Sequence, residues 1–384
     1  MGILSKPLYI TDKRIRVMNI KASLKETKLS RWFGGLLATA TMAGLSSCSM
    51  MTEDLDDCPW GLYVNFKYDY NIERADIFKD QVGGVTLYVF DDAGKLVERR
   101  EVTNAKDGDA LKSYGYKMHF TDLPAGKYKL YAMGMQKGYD ETLATDGAKS
   151  RRTEPQMGDA PQKLQVRLDR SAEADVEGRY AVEHENLPMD TLWMSREEVE
   201  ATVEPLDTYS PTYATVPLIR NTKRLNVSVR QIADPMEITA DDFDYYITDA
   251  NGLLSYNNEV LEDQKLKYTP YKTWTTTEEV TDNEQRNAAH AEFNFNRLID
   301  HNDANKDARL VIINKKTRDA VLDINLPAYL AEGRAAFEMD NYSAQEYLDR
   351  QHDYTLDLYL DGSKWIYMDI KVLSWSIRKQ NVDL

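Results

Sequence analysis

Residues 62–70, LYVNFKYDY, put Val64, Phe66, Tyr68 and Tyr70 on one side of an extended chain and Asn65, Lys67 and Asp69 on the other. An apolar period of two does not suit a helix; it is the signature of a half-buried β-strand. The same grammar continues downstream. A β-branched and aromatic run at 85–90 ends in the turn Asp91-Asp92-Ala93-Gly94, and residues 95–102 resume the strand. A Leu123-Pro124-Ala125-Gly126 corner leads into KYKLYAM at 127–133, and KLQVRLD at 163–169 alternates again. Short strands broken by turn residues at this spacing predict an all-β chain arranged as an antiparallel β-sandwich. The length of 384 residues is too great for one small β domain and suits two.

The second half repeats the series. Residues 217–229 (PLIRNTKRLNVSV) open it, and 243–248 run into Asp249-Ala250-Asn251-Gly252 as 87–90 run into their own turn. The matches are positional rather than residue by residue, the pattern of an internal duplication. Pro205, Pro211 and Pro217 interrupt regular structure between the two series. The expected domains are therefore an N-terminal β-sandwich over 58–200 and a C-terminal β-sandwich over 201–384. Helices are limited to short insertions. Ser343, with Glu346 three residues on, forms a capping box for one that runs to about Gln351. Residues 354–360, the Asp361-Gly362 turn and residues 365–377 predict a long terminal hairpin.

The N-terminus is not part of this fold. Lys21, Lys25, Lys28 and Arg31 precede the apolar run 32–45, WFGGLLATATMAGL, which is too short to span a bilayer and has the length of a signal h-region. It ends in Leu45-Ser46-Ser47-Cys48, which resembles the lipobox of bacterial lipoproteins: small residues before the cut, then a cysteine that receives diacylglycerol. Residues 1–47 are thus expected to be a cleaved signal peptide, with Met18 giving a start of ordinary length, and Cys48 the lipidation site. Residues 48–57 form an acidic tether, without Lys or Arg until Lys67. A trypsin-like protease finds no site there. Cys58 has no intramolecular partner once Cys48 is acylated, so it reads as a small buried residue.

The whole chain carries a net charge of −15, and residues 1–47 hold eight basic side chains against two acidic ones. Removing them leaves 40 basic against 61 acidic side chains, net −21. So acidic a surface repels phosphate backbones and anionic headgroups, which argues against a nucleic-acid partner.

No pattern in the sequence supports catalysis or a cofactor. His119, His184, His290, His301 and His352 are scattered without ligand spacing, and HExxH, CxxC, GxSxG and a phosphate loop are missing. DHNDANKD at 300–307 approaches a calcium loop, but Ala308 replaces the required glycine and Asn314 the closing glutamate, which leaves a polar loop. Asp190-Thr191-Leu192 fits only a loose O-glycosylation pattern. Trp60, Trp193, Trp274, Trp365 and Trp375 could form aromatic platforms for a glycan, although most sit in or beside strands, where core packing is the usual role.

Several blocks stand in order along the chain. They are Asp56-Asp57-Cys58-Pro59 with Gly61-Leu62-Tyr63-Val64, the hairpin at 89–95, the corner at 123–128, and Pro217-Leu218-Ile219-Arg220 with Arg224, Val227 and Val229. Asp249 to Gly252, Tyr268-Thr269-Pro270-Tyr271, Arg297-Leu298, QEYLDRQ at 345–351 and Trp375-Ser376-Ile377-Arg378 follow. Together and in this order they resemble the FimB-like or minor-fimbrium anchor lipoproteins of Bacteroidales. The resemblance implies two transthyretin-like sandwich domains in a lipid-anchored subunit of the outer-membrane surface, at the base of a fimbrium. Its partners would be pilins, bound by strand exchange at a sheet edge, where a row of backbone groups is satisfied at once. The alternative from a different class is a glycan-binding surface lipoprotein. An unpaired edge favours the first, and exposed coplanar rings the second.

Overall fold

The structure, a computed structural model, describes residues 60–233, 237–281, 284–335, 341–372 and 375–381. The signal peptide, Cys48, the acidic tether and Cys58 lie outside the described residues. The chain is all-β, with 48% of the described residues in strands and 12% in helices.

The first alternating segment becomes the strand Gly61–Lys67, which buries Leu62, Val64 and Phe66 and turns Tyr63, Asn65 and Lys67 outward. It lies inside an eight-stranded sheet. The order is Leu96–Thr103, Gly84–Asp91, Gly126–Met135, Leu192–Ser195, Pro211–Arg220, Gly61–Lys67, Met118–Phe120, with Val199–Val203 also paired to Gly126–Met135. Leu62, Val64, Leu87, Leu130, Trp193 and Leu218 meet in its core.

Thr222–Gln231 opens a second, larger core between two sheets. One runs Lys272–Thr281, Glu284–Asn296, Thr222–Gln231, Asp353–Asp361, Lys364–Val372, Trp375–Gln380. The other runs Ala320–Asn325, Arg309–Asn314, Phe243–Asp249, Leu266–Tyr268, Tyr180–Ala181. Leu225, Val227, Phe293 and Leu356 from the first sheet pack with Ile247, Leu310 and Ile324 from the second, a sheet-on-sheet sandwich.

The two halves share a topological signature. Gly61–Lys67 runs parallel to the late strand Pro211–Arg220, and Thr222–Gln231 runs parallel to the late strand Asp353–Asp361. Apart from these and the short pairing of Leu266–Tyr268 with Tyr180–Ala181, neighbours are antiparallel. Parallel pairs need long crossovers, which the sequence between the first and last strand of each half supplies.

The boundary expected at 200/201 is placed differently by the pairing. Val199–Val203 and Pro211–Arg220 are strands of the first sheet, and the chain crosses to the second series at Asn221. The prolines do not break this sheet. Pro211 begins its strand, and Pro217 sits just before the pairing with Leu192–Ser195 starts at Leu218. The halves are also laced together: Gln165–Leu168 pairs with Leu253–Ser255, and Leu168, Val182 and Met189 pack into the second core.

The Ser343 cap is present, but the Glu346 carboxylate expected to complete a capping box accepts from Arg350 instead. The Ser343 hydroxyl accepts from the Glu346 N–H at 3.0 Å and starts the helix Ala344–Arg350. The terminal hairpin is Asp353–Asp361 with Lys364–Val372, and Trp375–Gln380 follows as a separate edge strand.

Gly61 has an identifiable duty. Its φ of 85° is left-handed, and a Cβ there would lie 2.2 Å from the Phe120 carbonyl oxygen. Gly61→Ala is expected to cost about 2 kcal/mol or more, from conformation plus backbone clash, read as a lower urea midpoint at unchanged slope. An unchanged midpoint would show that this turn tolerates a side chain.

Candidate functional site

Residues from the family-like blocks, far apart in sequence, converge within the second half. Arg297 makes two hydrogen bonds to the Asp349 carboxylate, at 2.6 and 2.7 Å. Gln345 donates to the Leu298 carbonyl and to Asp349, and Asn251 donates to the carbonyls of Asn296 and Arg297. Tyr268 donates to Asn251 at 2.6 Å. Lys223, fully buried, gives its ammonium to the carbonyls of Asp349 and Gln351 at 2.8 and 2.9 Å, so it closes the C-terminal end of the helix Ala344–Arg350. Burial pushes the Lys223 amine down to about 7. Beside this knot lies an open cleft of about 610 Å³, lined by Tyr70, Arg196, Asn258, Arg297, His301 and Asp349. Its charged groups are already engaged: Arg297 by Asp349, Arg196 by Glu197, and the Tyr70 ring by Arg196 and Arg350. The knot ties the helix Ala344–Arg350 to the strands of the second half and offers little unspent chemistry.

The sheet edges differ in how they are protected. Leu96–Thr103 is charged along its length and is tied at its start by Gly158 and Asp159. Met118–Phe120 and Tyr180–Ala181 are short. Lys272–Thr281 is different: ten residues, KTWTTTEEVT, paired on one side to Glu284–Asn296 and followed by no strand on the other. Every residue in it is exposed except Trp274 and Glu278, which are half-buried. A contact near its start comes from the Ala240 N–H, which donates to the Thr275 hydroxyl at 2.9 Å. Five threonines and a valine give it high β propensity, and it lacks proline. Glu278 is drawn onto the sheet face by two hydrogen bonds from Arg230, which also binds the buried Asp357. Lys272 and Glu279 are exposed, but residues 273–277 carry no charge, and this stretch of the edge can accept a further strand.

The opposite edge, Trp375–Gln380, carries basic residues. Arg378 grips Asp369 through two bonds of 2.7 Å and covers the Tyr367 ring, Lys371 pairs with Asp357, and Lys379 reaches Glu332.

The tryptophans do not form a flat platform. Trp193 is fully buried, Trp365 packs on the second core, and Trp274 stacks on His290 with Lys272 over its ring. Trp375 is exposed and Trp60 half-buried. Tyr63, His119 and Tyr213 stack on one another across three strands, and Lys117 covers Tyr213, so these rings spend their faces on neighbours. Thr191 is buried, so the folded chain does not present its hydroxyl for glycosylation. In the polar loop at 300–307, Asp307 is used internally, accepting from the His301 and Asn325 nitrogens. Among the described residues, no group of three or more His, Cys, Asp or Glu is placed to hold a metal ion.

The sequence did not single out Lys272–Thr281. With water on both faces the strand has no apolar alternation to detect, and its only local signal is the density of β-branched residues.

Comparison with known proteins fits this architecture. Residues 55–381 match the family described as fimbrillin-A associated anchor proteins Mfa1 and Mfa2. A crystal structure from Bacteroides thetaiotaomicron, described as a candidate polysaccharide-binding protein, is 30% identical. The match covers 85% of this chain and 100% of that one, with a TM-score of 0.63. A candidate adhesin from the same species is 28% identical over 85% of this chain and 99% of that one, with a TM-score of 0.66. The fimbrial anchor protein Mfa2 from Porphyromonas gingivalis shares the fold at 17% identity, 84% and 100% coverage and a TM-score of 0.55. No curated protein matches the sequence.

Proposed function

Because the chain belongs to the family of fimbrillin-A associated anchor proteins, its role is in fimbriae or adhesion, and we propose that it is the lipid-held base of a fimbrium. On this reading acyl chains on Cys48 fix it to the outer membrane at the cell surface, and a pilin adds a strand along Lys272–Thr281. It is a structural subunit rather than an enzyme. The open edge carries the proposal. A shaft under load needs a joint whose strength is spread over many main-chain hydrogen bonds, and a ten-residue edge offers such a row. The tether supports it too, since no Lys or Arg between Cys48 and Lys67 invites a protease to cut the subunit from its lipid.

Deleting the gene is expected to leave pilin synthesis intact while fimbriae are shed into the medium or change in length. Complementation with Thr273→Lys, Thr275→Lys and Thr277→Lys together should restore the protein to the membrane fraction but not fimbrial retention, because lysines along an edge oppose pairing. Fimbriae of normal number and length on the deletion strain would overturn the anchor role. Normal retention by the triple-lysine variant would move the joint to another edge. The glycan-binding reading, suggested by the description of the 30%-identical structure, leads only if the deletion leaves fimbriae unchanged and the purified protein binds an immobilised polysaccharide.

A further inference from the structure

The register of the first sheet brings several chain segments to one end. Gly61 lies opposite Pro211, Leu62 opposite Phe120, and Val203 opposite Gly126. The start of the described chain, the corner at 121–125 and the loop at 204–210 are therefore neighbours. This is also the end to which the tether attaches. Residues 48–60 reach at most about 40 Å when fully extended, so among the two ends of this sheet it is the one held nearest to a lipid on Cys48.

That end is unusually apolar for a chain so acidic. Leu206, Tyr209 and Tyr213 are 59%, 56% and 57% exposed, a concentration of large apolar side chains within eight residues. Pro124 and Pro205 are exposed beside them. The loop is shaped rather than slack. The Thr208 N–H and hydroxyl both donate to the Pro205 carbonyl, at 3.0 and 2.6 Å, and the Tyr209 N–H donates to the Leu206 carbonyl. Tyr209 adopts φ 47°, a left-handed conformation that a bulky residue seldom takes, and this closes the turn with Leu206 and Tyr209 in solvent.

Leucine beside tyrosine is the chemistry of a bilayer interface, where an aliphatic tip enters the acyl boundary and amphipathic rings sit among headgroups. Charge narrows the lipid. Glu204 and Asp207 lie in the loop, while Lys117 covers the Tyr213 ring and Lys127 lies opposite Thr202. Groups of both signs meet at this end, which suits zwitterionic headgroups better than a strongly anionic surface.

We infer that the loop 204–210, through Leu206 and Tyr209, rests on a zwitterionic lipid surface and fixes how the anchored protein stands on its membrane. This rests on the lipid anchor at Cys48. The lipidated full chain, with Cys58→Ser and a nitroxide on Leu206→Cys, would be reconstituted into phosphatidylcholine vesicles. A second label at exposed Val176, outside this sheet, serves as reference. The expected result is a label at 206 at least several-fold more accessible to oxygen, relative to a water-soluble nickel complex, than the label at 176. Equal accessibilities with the protein still floating with vesicles would overturn the loop contact and leave the anchor standing. A label at 206 shielded from both reagents would mean a protein contact instead, and would also overturn it. Loss of flotation would remove the anchor itself.

Discussion

Replacing Cys48 by alanine is expected to move the protein almost completely from the membrane fraction to the medium and to abolish labelling by radioactive palmitate. Burial of each lipid methylene is worth about 0.8 kcal/mol, and a single chain gives only marginal attachment, whereas a lipobox cysteine ordinarily carries two or three. Little else can substitute. On the proposed removal of residues 1–47 the net charge is −21, which opposes attachment to anionic headgroups. Among the described residues, no helix is long and apolar enough to cross a membrane. The loop at 204–210 offers a few side chains, too little to retain a protein without acyl chains. Cys58→Ala is the control, since the lipobox precedes Cys48 and not Cys58. Palmitate labelling that survives Cys48→Ala would remove the anchor from this account.

Stability is expected to rise above neutrality through buried Lys223, while below neutrality buried Asp249 and buried His352 pull in opposite directions. Burial holds the His352 imidazole down to about 3, so its contribution is present above the unfolded value near 6.5 and lost as pH falls below it. Burial holds the Lys223 amine at about 7, well below its ordinary 10.5, against a weaker opposing pull from Asp349. Between these values the unfolded chain binds a proton that the folded chain does not. Lys223 therefore contributes stability that is present above the unfolded value and lost as pH falls towards 7. Asp249, also buried, is pushed up to about 7, with Asp307 adding to the effect. A carboxyl raised in this way contributes stability that is present below its unfolded value near 4 and lost as pH rises through 7. Each shift is worth at most about 5 kcal/mol across its window. Above about pH 10 the buried tyrosines oppose the gain, since burial raises Tyr68 to about 12 and Tyr88 and Tyr245 further. The informative range therefore ends near pH 9.5. Urea denaturation from pH 5 to 9.5 should show that Lys223→Met flattens the rise above 7. Asp249→Asn leaves His352 unopposed and should lose more stability than wild type as pH falls from 7 to 5. Slopes equal to wild type in both variants would show that neither charge stays buried on its own terms.

The sequence by itself determined the features that depend on near neighbours along the chain. The period of two at 62–68 is a local property of side chains on a pleat, and Leu62, Val64, Phe66 and Tyr68 are buried accordingly. The Ser343 cap needs only its own next turn, and its hydroxyl arm formed, although Glu346 turned to Arg350 rather than closing the box. The acidity likewise belongs to composition. Tertiary structure decided what no window of neighbours contains. Pro211 and Pro217 looked like a domain break, yet parallel pairing with Gly61–Lys67 places them inside the first sheet, because a partner 150 residues away in sequence satisfies the strand. Thr222 to Arg224 read as an ordinary strand opening, but only the arrival of the helix Ala344–Arg350 makes Lys223 a buried cap with a depressed pKa. Lys272–Thr281 shows the converse. Its threonines encode an extended chain, but whether its outer backbone groups find a partner depends on which strand comes to lie beside it. Within the described residues of this chain none does. Periodicity fixes which face of a strand is wet; long-range packing fixes which edge is left open.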